Sequence, residues 1–255
     1  MDVKTNPFKA AMLSRTRQIG VWSMSASPVA VEIIGNSGFD WVCLDAEHSP
    51  VDISNLVSLL HAGSAGKAHP VVRPAWNDPV LLKRVLDVGA QTVLVPFVQN
   101  AEEARQAVAA CRYPPEGIRG VSGSSRASAY GQMNGYLKKA NDEICVLVQL
   151  ETGSALQNLE EIAQVEGVDG VFIGPSDLAA SLGHLGNPGH PDVQNAIQEA
   201  IEKLNKLGKA GGILTTDIAA ARKYLEWGFT FVASALDIQL LMGGLKNALH
   251  EVTKD

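Results

Sequence analysis

The sequence predicts a single (β/α)8 barrel spanning residues 1–255, and three observations predict it. Eight apolar runs of strand length alternate with eight segments whose apolar residues recur at helical spacing. The strand runs are nearly continuous in apolar residues, the pattern of a parallel sheet buried on both faces. Neither G-x-G-x-x-G nor a P-loop follows an early strand, so the competing open, doubly wound sheet lacks its usual fingerprint.

The elements follow in order. After the amphipathic start MDVKTNPFKAAML, the first strand is IGVWSM (19–24), followed by the helical run 28–38. FDWVCLD (39–45) is the second strand; a polar turn, AEHSP, leads into a helix over 52–63 with Asp52 at its N-cap. HPVVRPAW (69–76) is the third, and its helix (77–89) opens at Asn77 or Asp78 with Pro79 in the first turn. TVLVPFV (92–98) is the fourth, and Asn100 caps the helix that follows. From Pro114 to about Asn141 the chain is rich in Gly and Ser with little apolar periodicity, a loop long enough to be functional. CVLVQLE (145–151) and GVFIGP (170–175) are strands five and six, joined by the crossover helix LQNLEEIAQV. A Gly/His/Pro segment (183–191) precedes a helix striped by Ile197, Ile201 and Leu204. KAGGIL (209–214), the helix 216–228, FTFVASAL (229–236) and a last helix from Asp237 complete the eight units.

Composition narrows the function classes. The chain is 46% hydrophobic and 19% charged with a formal net charge of -6, which offers no footprint for nucleic acid. No apolar run approaches the ~20 residues of a membrane span. The N-terminus lacks the apolar core and small-residue cleavage site of a secretory signal. Cys43, Cys111 and Cys145 lie far apart and form no Cys-x-x-Cys. These features predict a soluble protein of a reducing cytoplasm.

In a barrel, all βα loops open on the face at the strand C-termini, so functional groups are sought there. The strand ends offer Trp22 and Ser23; Asp45, Glu47 and His48; Arg73; Gln149 and Glu151; and Pro175, Ser176 and Asp177. Glu151 and Asp177 end neighbouring strands, and two oxygen ligands aimed at one point suit a hard divalent cation. Helix capping is the competing reading for either acid alone, but it does not explain a His and an Arg on adjacent strands. His48 is the general-base candidate, and the planar fork of Arg73 suits a carboxylate or an enolate oxygen. The other five histidines show no ligand spacing and are read as structural, so a His-rich zinc site is not expected. Lys209 enters its strand at the wrong end for a Schiff base, and no G-x-S-x-G elbow exists.

The segments FDWVCLDAEHSP, PVVRPAWNDPVLLKRVLDVGAQTVLVPFVQNAEEAR, RYPPEGIRGV, VLVQLET and VEGVDGVFIGPSDLAASLG closely resemble the HpcH/HpaI aldolases, a metal-dependent class of pyruvate aldolases, over nearly the whole chain. The resemblance implies reversible cleavage of 4-hydroxy-2-oxo acids, such as 4-hydroxy-2-oxoheptanedioate, to pyruvate and an aldehyde such as succinate semialdehyde. It assigns a divalent ion (Mg²⁺, Mn²⁺ or Co²⁺) to Glu151 and Asp177, the enolate oxygen to Arg73, and the base to His48 with Asp87 as its carboxylate partner. Gln149 and the turn of Gly174, Pro175, Ser176 and Asp177 fall where the family holds pyruvate, and Trp22 and Leu214 match aldehyde-pocket positions. Asp45 and Glu47 are left as groups that support the site from behind. Homo-hexamers with an exchanged C-terminal helix are also implied. Gly153, the shortened loop GVSGSSR and the ending FVASALD depart from the family pattern, and they leave the aldehyde open. Cleavage of sugar-derived acids such as 2-dehydro-3-deoxyglucarate or 2-keto-3-deoxyrhamnonate is the alternative within the family, and a noncatalytic pyruvate or oxalate sensor is the alternative of another class.

Overall fold

Eight parallel strands close on themselves in the order in which the sequence supplies them. The computed structural model of the protein describes residues 1–254. Its chain begins with α1 (Pro7–Leu13), β1 (Gln18–Ser23), α2 (Pro28–Asn36), β2 (Trp41–Asp45), α3 (Ile53–Gly63) and β3 (His69–Arg73). It continues with α4 (Pro79–Asp87), β4 (Thr92–Val95), α5 (Ala101–Cys111), α6 (Tyr136–Glu143) and β5 (Cys145–Leu150). The last part is α7 (Gly153–Gln157), α8 (Leu159–Ala163), β6 (Gly170–Ile173), α9 (Pro175–Ser181), α10 (Pro191–Lys206), β7 (Ala210–Leu214), α11 (Ile218–Trp227), β8 (Phe231–Leu236) and α12 (Asp237–Thr253).

Side-chain alternation along these strands builds two cores. One lies between sheet and helices; the other fills the barrel with Trp22, Trp41, Val71, Leu147, Phe172 and Phe231 among its members. Room for these rings comes from glycine: a Cβ on Gly212 would run into the ring of Phe231. The amphipathic start, α1, plugs the N-terminal end of the barrel. Its Phe8 ring sits 5.9 Å from Trp41 and stacks on His69 at 5.6 Å, and burial pushes the His69 imidazole down to about 4. At neutral pH His69 is therefore an uncharged, half-buried residue at that end of the barrel.

Two elements differ from the sequence expectation. The crossover between β5 and β6 is two short helices, α7 and α8, broken at Asn158, whose side-chain amide donates to the Gln99 carbonyl at 2.9 Å. The long loop contains a 3₁₀ turn (Arg126–Ser128) and the helix α6, which buries only Tyr136 and Ala140, too few positions to read as a period.

Closure of the barrel is locked by one carboxylate. Asp237, at the start of α12, accepts from Ser23 Oγ (2.8 Å), Met24 N (2.9 Å), and the amide (3.2 Å) and hydroxyl (2.6 Å) of Ser25, tying the end of β8 to the end of β1. Burial alone would raise its pKa, but these donors outweigh it and hold the carboxyl below its ordinary value. A depressed folded pKa means that the stabilisation is complete above the unfolded value of ~3.9 and disappears as the pH falls through the folded one. Asp237→Ala is expected to cost about 2–4 kcal/mol in urea unfolding at pH 7. A loss within about 0.5 kcal/mol would show that the seam holds without it.

Candidate active site

The mouth is organised around a buried arginine. Arg73 ends β3, directly paired in register with Asp45 at the end of β2. Its Nε and Nη2 donate to the two carboxylate oxygens of Asp45 at 2.9 and 2.8 Å, and Nη1 lies 2.9 Å from Glu47 Oε2. Trp22 closes the arrangement from below, its indole N–H donating to Asp45 Oδ2 at 3.3 Å and its ring lying 4.8 Å under the guanidinium. Burial pushes the Asp45 carboxyl up, but the hydrogen bonds and charge of Arg73 win and leave it below its ordinary value. Asp45 is thus ionised, fully buried and consumed in holding Arg73. An arginine held by a two-point fork has one direction left in which to present its remaining N–H groups.

Beside it stands an oxygen-rich cup. Glu151, just past the end of β5, is 2% exposed; its Oε2 accepts from Gln149 Nε2 at 2.6 Å and its Oε1 from the Phe97 amide at 2.9 Å. Phe97 makes that bond from a left-handed backbone, φ 56°, an unfavourable conformation for a bulky residue. Asp177 lies in the first turn of α9 and is close enough, with Glu47, to raise the pKa of Glu151 by repulsion. Burial is the larger cause, and together they push Glu151 up to about 7. Glu47 is raised too, by burial first and then by Asp45 and Asp177 acting against the attraction of Arg73. One buried oxygen here, Gln149 Oε1, has no hydrogen-bond partner among the described residues. Several carboxylates that repel one another, with an unsatisfied amide oxygen beside them, fit a hard divalent cation.

Gly174 makes the cup possible. A Cβ there would lie 2.7 Å from Glu151 Oε2 and 3.1 Å from Gln149 Nε2. Gly174→Ala is expected to displace Glu151 and weaken Mn²⁺ binding about 10- to 100-fold in a fold that persists. Calorimetric titration checks this, and an unchanged affinity would free Glu151 of any dependence on the glycine.

Residues 18–243 match the description HpcH/HpaI aldolase/citrate lyase family. The chain belongs to this family. It is 52% identical over 237 residues to a 4-hydroxy-2-oxo-heptane-1,7-dioate aldolase of Shigella sonnei (strain Ss046), covering 92% of this chain and 90% of the relative. It is 51% identical over 237 residues to a 5-keto-4-deoxy-D-glucarate aldolase of Enterobacter sp. (strain 638), covering 93% of each. The crystal structure of an HpcH/HpaI aldolase/citrate lyase family protein from Burkholderia cenocepacia J2315 superposes with a TM-score of 0.95 at 39% identity, over 98% of this chain and 100% of the other.

Not every residue singled out by the HpcH/HpaI resemblance meets the others in the structure. Arg73, Gln149, Glu151, Gly174 and the Pro175–Asp177 turn converge, and His48 stands at the rim, its side chain 59% exposed and Nε2 3.8 Å from Glu47 Oε2. Trp22, expected at the aldehyde pocket, is instead the 2%-exposed floor beneath Arg73. Leu214, at the end of β7, is partly buried against the inner core. Asp87 is not beside His48. It closes α4, and a helix that follows a strand runs back from the mouth to the opposite end of the barrel; there its carboxylate accepts from Arg119 Nη2 at 2.7 Å. The loop 119–126 leans on the same end, with Arg126 Nη1 donating to the Val88 carbonyl at 2.6 Å. Both reach a mouth only if it belongs to a neighbouring copy of the chain. Phe97, whose amide fixes Glu151, is a position that sequence reasoning missed, because nothing in TVLVPFV marks a left-handed residue.

Proposed function

We propose that this chain catalyses reversible, divalent-metal-dependent aldol cleavage of 4-hydroxy-2-oxo acids to pyruvate and an aldehyde. The observation that carries the reading is the pairing of an oxygen-rich cup at Glu151 and Asp177 with an arginine locked by Asp45, in a member of an aldolase family. Glu151 and Asp177 would hold an Mg²⁺, Mn²⁺ or Co²⁺ ion, which would supply Lewis-acid polarisation of the substrate carbonyl. Gln149 and the turn at Gly174 to Asp177 seat the pyruvate half of the substrate. His48 takes the proton of the 4-hydroxyl as the C3–C4 bond breaks, and the electron pair of that bond passes into the enolate. Arg73 faces the oxygen on which this charge grows, and its position, fixed before the reaction, demands no reorganisation during it. The proton then on His48 is available to C3, which completes pyruvate.

Both activities in the relatives' names concern dicarboxylic 4-hydroxy-2-oxo acids, so the substrate class proposed is a dicarboxylate. The apolar Leu214 favours an aliphatic aldehyde, with 4-hydroxy-2-oxoheptanedioate giving succinate semialdehyde. The working form proposed is a homo-oligomer, a hexamer by family resemblance. Leu240, Leu241, Leu245 and Leu249 on α12 are all more than half exposed, and Asp87, paired with Arg119 within its own chain, would meet a His48 only across a subunit boundary. A reducing cytoplasm is the compartment proposed for its three free, buried cysteines.

A coupled assay for pyruvate tests the reading across a panel of 4-hydroxy-2-oxo acids that includes the sugar-derived ones. Pyruvate release is expected with Mg²⁺, Mn²⁺ or Co²⁺ and should vanish with chelator. No release from any member of the panel would overturn it in favour of a noncatalytic binding protein.

A further inference from the structure

On the segment joining α9 to α10, three side chains that their sequence spacing leaves unconnected converge. His184 Nε2 lies 3.1 Å and His190 Nδ1 3.6 Å from the same oxygen, Asp192 Oδ2. The two imidazoles stack with centroids 3.5 Å apart and 15° between their planes. The one ligand atom that each of the three residues offers lies within 4.8 Å of the other two. We propose that His184, His190 and Asp192 form a second metal site, selective for a borderline transition ion of the Zn²⁺ type. The proposal departs from the expectation that both histidines are merely structural.

The donor chemistry sets this site apart from the cup. Two imidazoles and a carboxylate are the protein ligands of an open zinc site, whereas all-oxygen donors suit Mg²⁺ and Mn²⁺. Ligands about 2.0–2.2 Å from one tetrahedral ion stand roughly 3.3–3.5 Å apart, and the separations of 3.1 and 3.6 Å straddle that spacing. The segment is pre-shaped by its own backbone: His184 N donates to Ala179 O (2.7 Å), Asn187 N to His184 O (2.9 Å) and His190 N to Asn187 O (3.1 Å). Little ordering entropy is then left for the ion to oppose. The side chains of His184 and His190 are 24% and 33% exposed and that of Asp192 68%, which keeps one side open to solvent for a water ligand.

Helix capping accounts for only part of the arrangement. His190 is the N-cap of α10, its Nδ1 accepting from Asp192 N at 3.2 Å. That role needs one acceptor, which Asn or Asp supplies at least as well, and it explains neither the second imidazole nor the shared carboxylate. Parallel rings do not point their lone pairs at one place, so binding splays one ring about the soft torsion at its Cγ and passes the Asp192 amide to water. The ion would then tie the end of α9, whose first turn carries Asp177, to the start of α10. It acts as a staple on the rim of the mouth.

The probe is Zn²⁺ alone, added to the whole, chelator-stripped protein in a Glu151→Gln/Asp177→Asn background that silences the cup. Equilibrium dialysis with metal analysis is expected to find one Zn²⁺ per chain, and thermal unfolding a Tm raised by Zn²⁺ but not by Mg²⁺. Adding His184→Gln, or His190→Asn, which retains a capping side chain, should weaken Zn²⁺ at least tenfold and erase the Tm shift. No Zn²⁺ retained in the background protein, or undiminished retention in either histidine variant, would overturn the proposal. A wrong assignment of the cup would show instead as additional Zn²⁺ that both histidine variants still bind.

Discussion

Glu151→Ala and Asp177→Ala are each expected to lower metal-dependent cleavage by at least about 10³-fold, with Mn²⁺ no longer held at concentrations that saturate the unmodified protein. The size follows from what each carboxylate faces. Glu151 is 2% exposed and anchored at both oxygens, by Gln149 and by the strained amide of Phe97, so alanine removes the proposed ligand, which no water can replace in position. Asp177 is exposed, and its loss leaves the fold intact while removing the other carboxylate from the point where β5 and β6 end. Titration with Mn²⁺ beside the pyruvate assay separates metal loss from misfolding. Full activity in a variant that holds no metal would sink the assignment. A pH dependence accompanies it: with Glu151 pushed up to about 7 in the unloaded cup, a proton competes with the ion, so metal affinity falls as the pH drops below about 7 and recovers above it. An affinity flat from pH 5 to 8 would show that Glu151 is not a ligand.

What the sequence made legible follows from what a barrel makes local. Strand ends are local, because eight alternating units and one rule about the active face place Arg73, Glu151 and Asp177 on the same rim before any coordinate is known. Helix ends are local too, and the same rule sends Asp87 to the opposite end, so it is the family resemblance and not the barrel geometry that pairs it with His48. Side-chain direction is not local. Asp45 and Glu47 are two residues apart on one strand end, yet Asp45 is held by both its oxygens on Arg73 while Glu47 meets the same guanidinium through one oxygen and faces Asp177 as well. Trp22 illustrates the same gap, since an indole at a strand end can face the substrate or the layer beneath it, and the Asp45 carboxylate draws it down. Convergence within loops is the least legible of all. His184, His190 and Asp192 meet because the segment folds back through its own backbone bonds, and no periodicity encodes that turn.

Arg73→Lys is expected to lower kcat about 10²- to 10³-fold while the protein stays folded, and Arg73→Ala to do the same with an added loss of stability. The distinction rests on Asp45. Its carboxylate is 0% exposed and ionised, and alanine would strand that charge in the interior at a cost of about 3–5 kcal/mol. Lysine supplies a charge to Asp45 but offers a single ammonium where the guanidinium offers a fork, so it cannot satisfy Asp45 and still face the developing enolate with the same geometry. Arg73→Lys therefore reports on catalysis and Arg73→Ala on catalysis and folding together. Asp45→Asn supplies the third measurement: it leaves the guanidinium in place but removes the carboxylate charge that anchors it, so kcat should fall with little change in Mn²⁺ affinity, because Asp45 bonds neither Glu151 nor Asp177. If Arg73→Lys turned over like the unmodified protein, the guanidinium would be a structural partner of Asp45, and charge on the enolate oxygen would have to be met by the cation alone.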